Sequence, residues 1–394
     1  MSEQLVNHSP DLRRLRDEGY DIEIRANYLL VKQVPYVTVE RVVARGILVS
    51  ELSTSGSTTA TPNTHVVTFA GSIPCDDHGC ELNAIINQPG AFPVDGTLTA
   101  SFMFSSKPAG GYPDYYEKMT SYVDMLLGHA RAIDPSVTAK MFPPTPTDEN
   151  ESVFRYLDSA SSRAQISATT EKLKLGKVAI VGLGGTGSYI LDLIAKTPIE
   201  QIHLYDCDTL YTHNAFRAPG AATLDELNAA PKKVEFFQRK YDPLRRNIIA
   251  HAVHVDETNI EELRGMAFVF LAMDTGAGKK YIIKKLEEFG VPFIDTGMGV
   301  GQANNSLGGI VRTTTSVPGH SQHLWERLSF ADEPDDEYEQ NIQTADLNML
   351  NAAMAVIKWK KLFGFYTDLD KEYSSTYTID GNHLLNEDQQ EQAE

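Results

Sequence analysis

Lys177-Val-Ala-Ile-Val-Gly-Leu-Gly-Gly-Thr-Gly-Ser188 carries the reading on which the fold turns. Lys177 to Val181 is a short, β-rich apolar run, the pattern of a buried strand. It runs straight into Gly182, Gly184, Gly185 and Gly187, spaced as Gly-x-Gly-x-x-Gly, and a helix is expected from Ser188 to Lys196. Strand, glycine turn and helix in that order form a phosphate cradle. Glycine permits the tight turn, and backbone N–H groups at the helix N-terminus attract an anion. The next strand, Gln201 to Tyr205, ends at Asp206, 19 residues beyond Gly187. A carboxylate there can accept hydrogen bonds from ribose hydroxyls. NAD, FAD and ATP all remain open at this point.

The following residues narrow the choice. Asp206-Cys-Asp208 leads into Asn214-Ala-Phe-Arg217, so a guanidinium 11 positions after the first aspartate can return to a phosphate. Lys232 and Lys233 open a helical stretch and add mobile cations. Asp274 follows the strand Ala267 to Leu271, at the carboxyl edge of a sheet, where a carboxylate among phosphates suits Mg²⁺. Arginine, lysine and a metal carboxylate around one nucleotide fit charge neutralisation during displacement at phosphorus. Hydride transfer needs no such set. Gly276-Ala-Gly-Lys279 imitates a P-loop fragment, but Met273 stands where the first glycine belongs.

Working outward, strands are expected at Ala250 to Val255, Ala267 to Leu271 and Val291 to Ile294. A helix from Lys279 to Phe289 carries Lys279, Lys280, Lys284 and Lys285, read as a solvated face. A last helix, Thr344 to Leu362, has Leu347, Leu350, Met354 and Ile357 as an apolar stripe for core or dimer contact. The alternation predicts a Rossmann-like α/β fold: a mostly parallel sheet with crossover helices.

The chain has 394 residues, which suggests two domains. Proline at 143, 144 and 146 marks the boundary. Residues 1–145 are expected to form a smaller mixed α+β domain, 159–385 the nucleotide-binding domain, and 386–394 a disordered acidic tail. Within the first, a helix after Pro113 should bury Met119, Val123, Leu126 and Ala130, with His129 structural. Ser53 to Thr59 reads as a flexible loop. Cys75, His78, Cys80 and nearby His65 could bind Zn²⁺, but their spacing favours a structural turn. A net charge of −18 argues against a nucleic-acid or anionic-membrane surface. Three cysteines exclude a disulfide framework, and no apolar run reaches membrane-spanning length, so a cytoplasmic location is expected.

As an ensemble these motifs resemble the ThiF/MoeB family, which includes ubiquitin-activating enzymes. The resemblance covers about residues 160–385 and includes Ser162-Arg-Ala-Gln-Ile166 before the first strand. It implies adenylation, with ATP and Mg²⁺, of the C-terminal carboxylate of a ubiquitin-like protein or other peptide. Asp206, with Asp208 in the same motif, would lie on the ribose side. Asn214 and Arg217 would steady phosphates, and Lys233 or Lys232 would neutralise developing charge. Asp274 would hold Mg²⁺, and Arg163 would reach the ATP of a partner subunit in a homodimer. No cysteine follows Cys207, which lies between two carboxylates and is read as structural. Activation without a thioester cysteine of its own is therefore implied, with the acyl group passing to a downstream conjugating enzyme or other acceptor. Val34-Pro-Tyr-Val37 and Tyr112 to Thr120 resemble an N-terminal extension of some bacterial ThiF-type proteins, for which partner recognition is a reasonable role. An NAD- or FAD-dependent oxidoreductase and a non-catalytic nucleotide-binding module are the competing readings. Dehydration of a tRNA base is disfavoured by the acidic charge.

Overall fold

The structure, a computed structural model, describes residues 2–147, 149, 152–273, 276–328 and 342–389. The chain divides into two compact units, Met1–Thr145 and Pro146–Glu394.

The first unit is built on a six-stranded antiparallel sheet. Its order is Asp21–Arg25, Tyr28–Val37, Val43–Glu51, Val66–Ala70, Thr99–Ser105, Ile86–Pro93. The helix Tyr115–Ile133 covers it. Asp114 starts that helix by accepting from Glu117 N, and Met119, Val123, Leu126 and Ala130 are buried as the 3.6-residue spacing requires. The stretch expected to be a flexible loop, Ser53 to Thr59, instead closes as a small ladder of Thr54–Ser55 on Thr58–Thr59. Ser9 and Asp11 pin it by accepting from Thr59. His129 meets Asp77 at 3.2 Å. Asp76 Oδ1 accepts from the N–H groups of His78 and Cys80, which folds that segment as a turn.

The second unit has an eight-stranded sheet. Five parallel strands come first: Ile248–His251, Gln201–Tyr205, Lys177–Val181, Phe268–Leu271 and Phe293–Ala303. Three antiparallel strands extend it: Ser306–Ser316, Ser374–Thr378 and His383–Glu387. One face presents Val178, Ile180, Leu204, Phe270 and Ile294 to the helices Gly185–Ile194, Lys233–Tyr241 and Ala345–Leu362. The other face presents Ala179, Val181, Val269 and Phe293 to the helix Ala277–Phe289. From the central strand Lys177–Val181 the chain builds outward on one side, then crosses back to Phe268–Leu271 on the other. That reversal opens a crevice at the carboxyl ends of the two strands. No helix among the described residues is long and apolar enough to cross a membrane.

Several expectations need correction. Lys279 is not solvated: it is 3% exposed and paired with buried Asp295. Of the stripe expected on the last helix, Leu347 is buried beside Val300 and Val311 with Leu350 and Met354 packed against them, but Ile357 is exposed, and a second buried seam runs through Asn348, Ala352, Ala355, Val356 and Trp359. The alanines let this helix approach the glycine-rich one closely. Asn386 and Glu387 belong to a strand rather than a disordered tail. Arg327 pairs with Glu387 at 2.8 Å and with Asp388 at 3.1 Å. Residues 390–394 lie outside the described residues. Residues 146–158, left between the two expected domains, are part of the second unit, where Arg246 donates to carbonyls of Thr147 and Ser152, and Arg155 N donates to Leu244 O.

On the sheet, His203 lies 3.1 Å from His251, whose ring stacks on Tyr205. Burial, reinforced by the neighbouring His251, pushes His203 down to about 4. As pH falls from about 6.5 towards 4, an unfolded chain gains a proton at this ring that the folded chain refuses, so stability is lost across that window. Thermal melts should show a larger fall in Tm between pH 7 and pH 5 for the wild type than for His203→Gln.

Candidate functional site

The strand Lys177–Val181 ends in a turn whose glycines answer to different neighbours. Gly182 has φ +91°, and a Cβ on it would sit 2.5 Å from the Ala272 carbonyl oxygen. A Cβ on Gly187 would lie 1.9 Å from the Gly182 oxygen, and one on Gly185 would lie 2.1 Å from Asn348 Nδ2. These three make room for protein. Gly184 differs, since a Cβ there would meet nothing within 4 Å. The helix starts at Gly185, not Ser188, and no side chain caps it. Its first N–H groups therefore open over bare backbone, a ready anion seat.

Asp206 closes the turn from the next strand. Its Oδ2 accepts from Leu183 N at 2.6 Å and its Oδ1 from Asp208 N at 2.8 Å. Asp208 is 58% exposed at the side chain and faces the crevice. The two lysines are brought in by backbone pairing: Leu210 N donates to Pro231 O, and Lys233 N to Asp208 O. Lys233 Nζ then sits 2.7 Å from Asp208 Oδ2 and 3.7 Å from Asp206 Oδ2. Its hydrogen bond holds the Asp208 carboxyl below the usual range. Lys232 turns away and donates to the Cys207 carbonyl at 2.6 Å.

Asn214 is buried, with Oδ1 accepting from Tyr211 N. Three positions on, Arg217 is half-buried. Its Nε is shielded from solvent yet has no hydrogen-bond partner among the described residues. A shielded guanidinium edge without a partner is costly unless a ligand supplies one. Asp274 lies outside the described residues; the flanks Met273 and Gly276 follow the strand Phe268–Leu271. Arg163 ends the helix Ser159–Arg163 and is exposed.

Sequence reading missed two contributors. Asn348 accepts from the Thr186 hydroxyl at 2.9 Å, and a polar residue inside a buried helical seam was the available signal. His254 Nε2 lies 2.8 Å from Cys207 Sγ. Nothing local marks that contact, because it joins loops of neighbouring strands. Burial and Asp208 push the Cys207 thiol up, away from thiolate character.

The sequence profile of the ThiF family matches residues 159–384, and that of a domain of unknown function, DUF6791, matches residues 10–159. No curated protein sequence matches the chain. Among solved structures, E. coli MccB with ATP is similar at 18% identity over 56% of this chain and 65% of its own, with a TM-score of 0.44. The microcin C7 biosynthetic enzyme MccB in complex with N-formylated MccA is similar at 18% identity, 56% and 66% coverage, and 0.46. PaaA is similar at 18% identity, 69% and 85% coverage, and 0.46. The chain thus spans just under two thirds of the MccB chains.

The contrast between the glycines is testable without ligand. Gly187→Ala drives a methyl group into the Gly182 carbonyl and should cost upward of about 3 kcal/mol. Gly184→Ala should leave ligand-free stability within about 0.5 kcal/mol. Denaturant titration of both variants checks this.

Proposed function

The chain belongs to the ThiF family, and from that premise we propose that it adenylates the C-terminal carboxylate of a ubiquitin-like protein or other peptide. ATP is consumed with Mg²⁺ as cofactor, the acyl-adenylate forms and pyrophosphate is released. The observation that carries the reading is the open backbone at Gly184 beneath an uncapped helix N-terminus, with Arg217, whose Nε has no hydrogen-bond partner among the described residues, as the accompanying cation.

In this reading a carboxylate oxygen of the partner attacks the α-phosphorus. The bond from that phosphorus to the bridging oxygen breaks, and pyrophosphate leaves with the electron pair. The chain aligns the reactants and balances charge; it forms no covalent bond. Backbone N–H groups beside Gly184, Gly185 and Gly187 cradle phosphate. Asp206 retains lone pairs for ribose hydroxyls. Arg217, with Asn214 behind it, steadies the phosphates. Lys233 is favoured over Lys232 as the neutralising cation, because Lys232 is held by the Cys207 carbonyl. Lys233 leaves Asp208 as negative charge builds on phosphate. Asp274 is proposed to hold Mg²⁺, with Asp208 the exposed carboxylate nearest the lysines; such hard oxygen donors suit that ion. When bound, the ion offsets charge on the phosphate oxygens. Arg163 is proposed to serve the site of a second copy in a homodimer. The first unit is proposed to recognise the partner. Transfer is proposed to go directly to an acceptor such as a conjugating enzyme, in the cytoplasm, since the raised Cys207 thiol is a poor nucleophile.

Exchange of labelled pyrophosphate into ATP should appear only when the carboxylate partner is supplied. Asp274→Ala should abolish it. Lys233→Met should lower kcat by roughly 10²-fold, the scale of one lost charge-stabilising donor, and Lys232→Met by much less. A melting temperature raised by NAD or FAD, and not by ATP with Mg²⁺, would overturn the assignment.

A further inference from the structure

Lys279 is the third residue of the helix Ala277–Phe289, yet its side chain turns inward. Its Nζ lies 2.5 Å from Asp295 Oδ1 and 3.5 Å from the Met273 carbonyl oxygen. Asp295 is fully buried on the strand Phe293–Ala303, and Arg312 Nη2 lies 3.5 Å from its Oδ2. Gly297 makes the space for that guanidinium, because a Cβ there would sit 2.9 Å from Arg312 Nη2. The next residue, Thr296, donates its hydroxyl to the Leu271 carbonyl at 3.1 Å.

Stability does not explain this arrangement. Removing a lysine and an aspartate from water costs several kcal/mol per ion, and well-packed apolar residues commonly do as well or better. The cluster is also left under-satisfied. Both oxygens of Asp295, Arg312 Nε, and the hydroxyls of Thr314 and Ser374, Thr314 facing Asp295 across the ladder and Ser374 facing Thr314, have no hydrogen-bond partner among the described residues, so Lys279 meets Asp295 as an ion pair. What the cluster does achieve is positional. Asp295 and Thr296, adjacent in one strand, reach both flanks of residues 274–275. Thr296 holds the Leu271 carbonyl. Asp295 holds Lys279, which in turn meets the Met273 carbonyl and belongs to the helix that follows.

We propose that Lys279, Asp295 and Thr296 are positioning residues that fix the described flanks on either side of residues 274–275 and so set the rate of adenylyl transfer. This rests on the adenylation reading. A buried ion pair suits the task because breaking it would leave a charge buried without its partner, which holds the two groups in contact, whereas an apolar contact can slide.

The test uses the full chain with Lys279→Met combined with Asp295→Leu, Lys279→Arg alone, and Thr296→Val. Melting temperature, kcat and KM for pyrophosphate exchange, and amide hydrogen exchange over residues 271–280 are measured. The apolar double variant should melt at or above the wild type. Its kcat should fall by roughly 10²-fold, the scale of a small misplacement, with KM for ATP little changed. Its amides at 271–280 should exchange faster. Lys279→Arg should restore most of the rate. A double variant that turns over like the wild type overturns the proposal. If the double variant fails to fold, Thr296→Val decides: kcat lowered several-fold at unchanged Tm supports the proposal, and wild-type kcat overturns it. A wild type without exchange activity overturns the adenylation reading instead. Amide protection then decides the positioning claim alone: faster exchange in the variant supports it, and unchanged exchange overturns it.

Discussion

The carbonyl of Gly182 occupies the space that a side chain at position 187 would need. That contact of backbone on backbone lets the helix Gly185–Ile194 start directly over the end of the strand Lys177–Val181. The rest of the second unit is arranged around it. Asp206 reaches across from the neighbouring strand to Leu183 N, locking the turn to the loop that carries Asp208. Pairing of Pro231 to Lys233 with Asp208 to Leu210 then brings in the lysines. If the turn opened by the width of one methyl group, every one of these hydrogen bonds would lengthen.

Charge follows a similar logic at two scales. The chain as a whole repels anions, with a net charge of −18. Within the second unit Lys233 is placed against Asp206 and Asp208, so a cation stands beside the carboxylates despite the acidic balance of the chain. Lys233 is held between Asp206 and Asp208, so it is ordered without a ligand while remaining exchangeable with a stronger anion. The cost of desolvating Arg217 Nε is left uncompensated by described protein groups. Binding sites commonly carry such local debts, because a ligand then settles them.

Much of the second unit was legible because its signals are local. Apolar runs gave the strands at Lys177–Val181, Gln201–Tyr205 and Phe268–Leu271, whereas the one expected at Ala250 to Val255 forms earlier, at Ile248–His251. The helix boundary at Gly185 was not legible: three glycines disfavour helix intrinsically, and only the strand beneath and Asn348 beside them enforce it. Lys279 was misread for a related reason. Beside Lys280 and Lys284 it looks like one more solvated residue, and its partner Asp295 belongs to a different strand. The extent of the sheet was also hidden. The run Phe293–Ala303 continues through Gly297, Gly299 and Gly301, residues of poor strand propensity that are held by antiparallel pairing with Ser306–Ser316. The charged groups of the site were readable as types, but the division of labour between Lys232 and Lys233 depends on which carbonyl lies within reach.

The bond between Thr186 and Asn348 joins residues 162 positions apart. Contacts so distant in the chain form slowly, and on a ribosome they cannot form until the later partner has emerged. The glycine turn is therefore completed only after the helix Ala345–Leu362 has been made and settles against it. A nascent chain halted before that helix would own every motif of the crevice and lack its finished shape.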